Sequence, residues 1–339
     1  MKLNNIKTVY LMGGGGTMLG FAKELQARKY EVVVFTSPRH STEIMPGGAT
    51  LARELDGAAI PWRMPEDVNS DSVFLEGATS LTMGIGFGEV WTFARKTIDR
   101  FEGKLFDFMG IPLPRYRGGA HYTWQILRQN RLGACNIQVI NEFMVQGEFD
   151  SGEIVFSREY RFPDSARIPQ DYFDAAHKQE VDFLKEFMDR AEQGEDFILS
   201  PVPEQYSIYF PRLNTIKQGW VDWSWGTKDL ELFINAFDDP YAGASTELDG
   251  QLVRLKQARV ETLDGPFHPF MTGLVYRINS TGVYIATPQG SLIVGRVLDE
   301  AGQDMTAAVK TGQRFFTPMA RLEAAMTFHA QYDAKGAKA

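Results

Sequence analysis

The chain is short of the groups that make disulfides, metal clusters and membrane spans. It has one cysteine, Cys135, in 339 residues, which excludes an intramolecular disulfide and any thiolate-cluster metal site and fits a reducing compartment. It has only five histidines. Apart from His121, discussed below, His40, His177, His268 and His329 show no paired spacing with cysteine or carboxylates of the kind that holds zinc. No apolar run approaches the ~20 residues needed to cross a bilayer. The opening MKLNNIKTVYLMGGGG is too short and too glycine-rich in its apolar part for a signal-peptide core, so a mature cytoplasmic protein without membrane contact is expected. Positive charge is also in deficit, 35 Lys+Arg against 43 Asp+Glu for a net charge of −8. The molecule as a whole is therefore not built to attract a phosphate backbone, although a local patch remains open.

What is present is a globular composition, with 44% hydrophobic and 23% charged residues, long enough for about two domains at ~150 residues each. KTVYLM at 7–12 reads as a strand, Gly13–Gly16 as a turn, the following TMLGFAKELQARKY as a helix and EVVVFTS at 31–37 as a second strand. This order opens a βαβ unit and predicts an α/β fold, an open Rossmann-like and mostly parallel sheet with helices on both faces. SVFLE at 72–76 and LTMGIG at 81–86 are read as the third and fourth strands, 90–102 as a helix and KLFDFMG at 104–110 as the next strand. HYTWQILRQ at 121–129 reads as helical, and NIQVINEF and EIVFSREY as strands around a turn at Phe149–Asp150–Ser151–Gly152. A long helix is expected over 170–192, behind Pro169.

Three prolines in SPVPEQYSIYFPRLN mark a linker at 200–219. After it, one helix and short strands with turns at 248–250, 264–266 and 287–290 suggest a smaller β-rich, barrel-like (OB-like) domain over 220–318. A closing helix and tail occupy 319–339, and the first domain spans 1–199.

The glycine cluster offers one possible ligand site. Backbone N–H groups at Gly13 and Gly14 could approach a phosphate at the helix N-terminus. The spacing Gly14, Gly16, Gly20 is G-x-G-x-x-x-G rather than the dinucleotide fingerprint, and strand two ends in Phe-Thr-Ser-Pro-Arg without an acidic residue for a ribose. Arg39 could instead meet a 2′-phosphate, so an NADP-dependent oxidoreductase stays open beside a tight turn with no ligand.

Three further segments carry more information. They are LFDFMGIPLPRYRGGAHYTWQIL, then Phe149–Asp150–Ser151–Gly152–Glu153–Ile154, and beyond the linker Val221–Asp222–Trp223–Ser224 with Asn235–Ala236–Phe237–Asp238–Asp239–Pro240–Tyr241–Ala242–Gly243–Ala244. Together, and in this order, they resemble the formyltetrahydrofolate-dependent formyltransferases, the two-domain family of methionyl-tRNA and sugar N-formyltransferases, over roughly residues 6–318. The resemblance implies transfer of a formyl group from N10-formyltetrahydrofolate to an amine, with an Asn–His–Asp trio around the tetrahedral centre. In that alignment Asp150 falls on the family's Asp, but Asp107 stands where the family has Asn and Met109 where it has His. A thioether neither donates a hydrogen bond nor carries a proton at neutral pH, and an ionised carboxylate repels an oxyanion.

Two repairs are open: mutual repulsion of Asp107 and Asp150 that keeps one protonated and able to donate, or His121 turned toward the site rather than capping its helix. The resemblance also places Phe87 and Gly88 at a wall of the folate pocket, beside Leu113 and Pro114. Arg115, Tyr116 and Arg117, with Gly13 and Gly14, are the candidate substrate contacts. Arg115 and Arg117 read equally as loop-holding partners of carboxylates, Trp220, Trp223, Trp225 and Tyr241 as core or as stacking platforms, and Cys135 as a buried small residue.

The functions that follow are transfer to a small-molecule amine such as an amino sugar or amino-acid derivative, with tRNA as another acceptor, or a folate- or nucleotide-binding or formyl-folate-hydrolysing descendant. Pro-Tyr at 240–241 resembles the sugar-type enzymes, since the tRNA type has Pro-Trp there.

Overall fold

The computed structural model describes residues 1–3, 5–141, 151–333, 336 and 337. The first half of the chain lays down strands β1 (Thr8–Gly13), β2 (Glu31–Phe35), β3 (Trp62–Arg63), β4 (Thr82–Phe87) and β5 (Leu105–Met109). These are followed by the two-residue β6 (Arg117–Gly118) and then β7 (Leu132–Val139) and β8 (Ile154–Arg161). Seven of them form one sheet in the order β3-β2-β1-β4-β5-β7-β8. Pairing is parallel from β3 to β5 and antiparallel for β7 and β8. The order reverses between β1 and β4, which marks the crevice outside the carboxyl ends of the strands as the place for a ligand.

The β-branched and aromatic strands fill both faces, as a sheet covered on both sides requires. Val9 and Leu11 of β1 pack with Phe106 and Phe108 of β5 under the helices Gly15–Ala27 and Pro169–Glu192, whereas Tyr10, Met12 and Leu105 face a separate core with Phe74 and Phe101. This period-2 alternation sends Asp107 and Met109 to the face opposite Phe106 and Phe108.

Two sequence expectations are corrected in this half. Residues 72–76 are not a strand but part of the helix Ser72–Gly77, because Asp71 Oδ1 accepts the Phe74 N–H at 2.8 Å and only Phe74 of the run is buried. The third strand is instead Trp62–Arg63. The helix expected over 90–102 shrinks to Arg95–Ile98 and a 3-10 turn at Asp99–Phe101. Asn69 Oδ1 takes the Ala94 N–H at 2.7 Å and fixes the start there.

The expected linker is not loose. Its strand β9 (Tyr209–Phe210) pairs in parallel with β6, and Phe210 stacks on the buried Tyr116 with ring centroids 5.1 Å apart.

The remainder forms a six-stranded antiparallel sheet of β10 (Ala244–Leu248), β11 (Gln251–Glu261), β12 (Val275–Asn279), β13 (Gly282–Thr287), β14 (Gly290–Leu298) and β15 (Phe315–Phe316), in the order β12-β13-β14-β11-β10-β15. The sheet curls until its ends meet, with the Val275 N–H donating to Gln313 O and the Phe315 N–H to Gly273 O, both at 2.9 Å. The helix Thr227–Ala236 lays Leu230 and Ile234 on its core, and Ile126, Tyr172 and Ala176 of the first half join the same cluster. Thr123 Oγ1 donates to Ala236 O at 3.1 Å, so the helix His121–Leu127 is clamped between the two sheets. The helix Met319–Thr327 follows β15. No helix among the described residues is long and apolar enough to cross a membrane.

Candidate active site

A cavity of about 2020 Å³ opens beyond the carboxyl ends of β4 and β5, with walls from the loop after β4, the tip of β5, the helix His121–Leu127, the strap at 201–218 and the C-terminal helices. Asp107, Met109, Gly88, Arg117 and His121 all line it. The strand register puts Asp107 opposite Gln138 and Met109 opposite Asn136, so the four side chains share one face, and of the four Asp107 and Met109 line the cavity while Asn136 and Gln138 support them from β7. Asp107 is 7% exposed. Asn136 Nδ2 donates to Ile111 O at 2.6 Å and to Met109 O at 3.4 Å, and Gln138 Nε2 donates to Gly152 O at 2.6 Å, which pins the strand tip to the loop that follows. Sequence reasoning missed Asn136 and Gln138. Their signal was two polar residues two apart inside an otherwise apolar strand.

His121 is the first residue of its helix, set there by Ala120 in the left-handed conformation at φ 55°. Burial pushes its imidazole down to about 4, with Arg212 adding to the same effect, while a hydrogen bond to the Gly118 backbone opposes it. The ring is therefore neutral at pH 7. Its Nε2 is buried and has no hydrogen-bond partner among the described residues, so the Gly118 carbonyl holds the other nitrogen and the Nε2 lone pair is left over.

The remaining expected site residues divide. Gly88, at φ 63°, leaves open space where a side chain would stand. Phe87 instead packs in the core on Phe108, with centroids 5.2 Å apart. Leu113 lines a separate pocket of about 290 Å³, and Pro114, buried, uses its carbonyl to accept the Ile208 N–H. Arg117 forks onto Glu204 at 2.6 and 2.7 Å and reaches Ser207 at 3.2 Å. That pairing lowers the Glu204 pKa and makes Arg117 a clasp between loop and strap. Arg115 is exposed and lies over the Tyr206 ring at 5.7 Å. Tyr116 is fully buried, and its hydroxyl accepts from Asn130 at 2.7 Å. Neither Arg115 nor Tyr116 lines the cavity. Asp150 lies outside the described residues, as do the neighbouring residues of its turn, 142–149. Trp223 is core, while Trp220 and Trp225 reach the cavity. Cys135 is buried, and burial pushes its thiol up to about 12, which leaves it inert.

The glycine turn does not line the cavity either. At Gly13, φ is 118° and a Cβ would stand 2.3 Å from Phe87 O; at Gly14 it would stand 2.7 Å from the His40 Cβ and 3.0 Å from Glu43 Oε2. The helix N-terminus is met by Glu43, whose carboxylate accepts the Gly15 N–H. That carboxylate occupies the place a pyrophosphate would need, and the NADP reading is withdrawn on this ground. Among the described residues there is also no cluster of His, Cys, Asp and Glu able to hold a metal ion.

Comparison with known proteins agrees with this architecture. Residues 215–313 match the family model for the formyl transferase C-terminal domain. The methionyl-tRNA formyltransferase of Nitrosomonas europaea is 24% identical over 200 residues, 58% of this chain and 58% of that one, so the chain spans little more than half of that relative's length. Among solved structures, the sugar 3N-formyltransferase WlaRD, crystallised with dTDP and 5-N-formyl-THF, superposes with a TM-score of 0.63 at 13% identity, covering 88% of this chain and 98% of that one. HypX from Aquifex aeolicus, in complex with tetrahydrofolic acid, gives 0.55 at 18% identity, covering 87% and 44%.

Proposed function

We propose that the chain, whose residues 215–313 match the formyl transferase C-terminal domain model, is a formyltransferase that moves a formyl group from N10-formyltetrahydrofolate to the amine of a small molecule. The observation that carries this reading is the cavity. At about 2020 Å³ it is roughly twice the upper end of the ~300–1,000 Å³ typical of a single-ligand site. A transfer between two substrates needs both held at once, in contact. The folate-derived ligands named for HypX and WlaRD support the donor class. A donor of that kind fits the part of the wall where Gly88, with its open space, stands beside Trp91.

When bound, the donor supplies the formyl group. The chain's own residues then handle the proton. His121 Nε2, neutral and unpartnered among the described residues, accepts the proton that the attacking amine sheds and can return it to the departing nitrogen. Asp107 accepts a hydrogen bond from the amine N–H rather than donating one to the oxyanion, and Met109 shapes the wall without carrying charge.

Incubation with N10-formyltetrahydrofolate and a panel of primary amines, amino sugars and aminoacyl-tRNA, read by mass spectrometry, tests this. We expect a formamide of a small amine, and His121→Ala to slow it by about 10²–10⁴ with little change in donor affinity. Formate without amide would move the reading to hydrolysis. Product on tRNA alone would move it to the tRNA branch, against the net charge of −8.

A further inference from the structure

The cavity runs well past the β5 tip, and its far end belongs to the C-terminal half of the chain. His121 and Leu127 line it from the two ends of one helix, about 9 Å apart at ~1.5 Å per residue. Leu127 reaches the same apolar cluster as Leu232 and Phe233, and from there the wall is continuous. The helix Thr227–Ala236 brings Asp229, Leu232 and Phe233 to the cavity, at the i, i+3, i+4 spacing of one helix face. The Phe233 ring meets Trp225 at 4.9 Å and Phe237 at 4.8 Å. A Cβ at Gly219 would lie 3.4 Å from Phe237, so the next residue, Trp220, carries the wall on to Leu322 and Ala325 of the helix Met319–Thr327. Met326 of that helix lines the cavity while 75% exposed, and Gln218 Nε2 holds the segment after it by donating to Phe328 O at 3.1 Å.

Apolar side chains left accessible inside a cavity reward a ligand that covers them with an apolar part of its own. Charge narrows the choice. Among the described lining residues, Glu89, Asp107, Glu153, Glu204, Asp222 and Asp229 stand against two guanidiniums, Arg117 and Arg212. Arg117 is forked onto Glu204. Arg212 lies against the loop before His121, where a Cβ at Gly119 would stand 2.3 Å from its Cγ. The apolar arm itself carries Asp222 and Asp229 and, among the described residues, no Lys or Arg. Arg321 stacks on the Trp220 ring at 4.9 Å, but it turns to Glu247 at 3.9 Å and does not line the cavity. A nucleoside diphosphate or a nucleic-acid backbone placed in this arm would meet charge of its own sign.

Resting on the formyl-transfer reading above, we propose that the arm bounded by Trp225, Phe233, Phe237, Trp220 and Met326 holds the non-reacting part of the acceptor, and that the acceptor is a phosphate-free amine with an aromatic or aliphatic body. The amine lies at the His121 end and the body extends along the helix His121–Leu127 into the C-terminal half. Binding energy from that body then holds the amine in place for the transfer.

The binding test does not need the donor. The whole protein is titrated by calorimetry with 4-phenylbutylamine, with n-butylamine, which lacks the ring, with 4-phenylbutyrate, which carries the opposite charge, and with dTDP. The arm predicts that 4-phenylbutylamine binds at least about tenfold tighter than either n-butylamine or 4-phenylbutyrate, and that dTDP shows no saturable binding up to millimolar concentration. Trp225→Leu and Met326→Ala should each weaken 4-phenylbutylamine several-fold, the second by trimming a side chain too exposed to matter for folding. In the transfer assay the same two variants should raise KM for 4-phenylbutylamine several-fold and leave 5-formyltetrahydrofolate binding unchanged. Equal binding of the two amines, or displacement of 4-phenylbutylamine by dTDP, overturns the arm. Formamide made from n-butylamine as readily as from 4-phenylbutylamine would keep the transfer reading and overturn the arm, whereas the binding preference in a protein that forms no formamide would keep the arm and reject the transfer.

Discussion

The ends of β1 and β5 make an instructive pair. Both are parallel strands that run into glycine at the crevice, and the first, with four glycines ahead of a helix, looks more like a ligand site. Yet at β1 the helix N-terminus is stopped by Glu43 and the turn is crowded by Phe87 and His40, while at β5 the strand opens on a cavity of about 2020 Å³. Glycine at β1 serves close packing; Gly88, beyond β4, serves access. A sequence motif proposes a site, and what fills the space decides.

The contrast breaks first under substitution. Gly13→Ala, with its Cβ against Phe87 O at 2.3 Å and φ at 118°, should cost about 4 kcal/mol or more. Gly88→Ala, at φ 63° in open space, should cost only about 1–2 kcal/mol. Urea denaturation of the two variants reads the difference, and equal losses would erase the distinction.

Acid should strike the crowded end next. Burial first, then Arg39 and Arg212, push His40 down to about 4 from 6.5. Below 6.5 the unfolded chain takes up a proton that the folded one refuses. His40 therefore costs no stability above pH 6.5, and stability falls as pH drops to 4, by about 3 kcal/mol at ~1.4 kcal/mol per unit. Denaturation midpoints at pH 7, 5.5 and 4 should show the decline, and His40→Gln should flatten it.

At the open end the effects move to chemistry. Asp107→Asn keeps an oxygen that accepts the amine N–H and adds an amide donor for the oxyanion, so it should raise the rate of tetrahydrofolate release by about tenfold or more; a slower variant would mean that the Asp107 charge itself is required. Met109→Leu keeps volume in a half-buried wall position and should change stability by less than about 1.5 kcal/mol.

Much of this was legible in the sequence, and the reasons for the gaps are specific. The βαβ order, the strand carrying Asp107 and Met109 and the long helix from Pro169 followed from periodicity and caps. SVFLE misled because apolar runs of five residues do not distinguish strand from a short capped helix, and the cap, Asp71, lay one residue outside it. Tyr116 and Phe87 were placed at a ligand by resemblance and proved to be core, since burial depends on the strap at 209–210 and on Phe108, partners remote in sequence. His121 was an open alternative until Ala120 and Gly118 fixed its ring.

The most direct test of the account is a calorimetric titration of the protein with 5-formyltetrahydrofolate, read alongside the fluorescence of Trp91, Trp124, Trp220 and Trp225 on the cavity wall. The account predicts saturable binding at micromolar ligand with a change in that fluorescence. No heat and no fluorescence change up to millimolar ligand would contradict it.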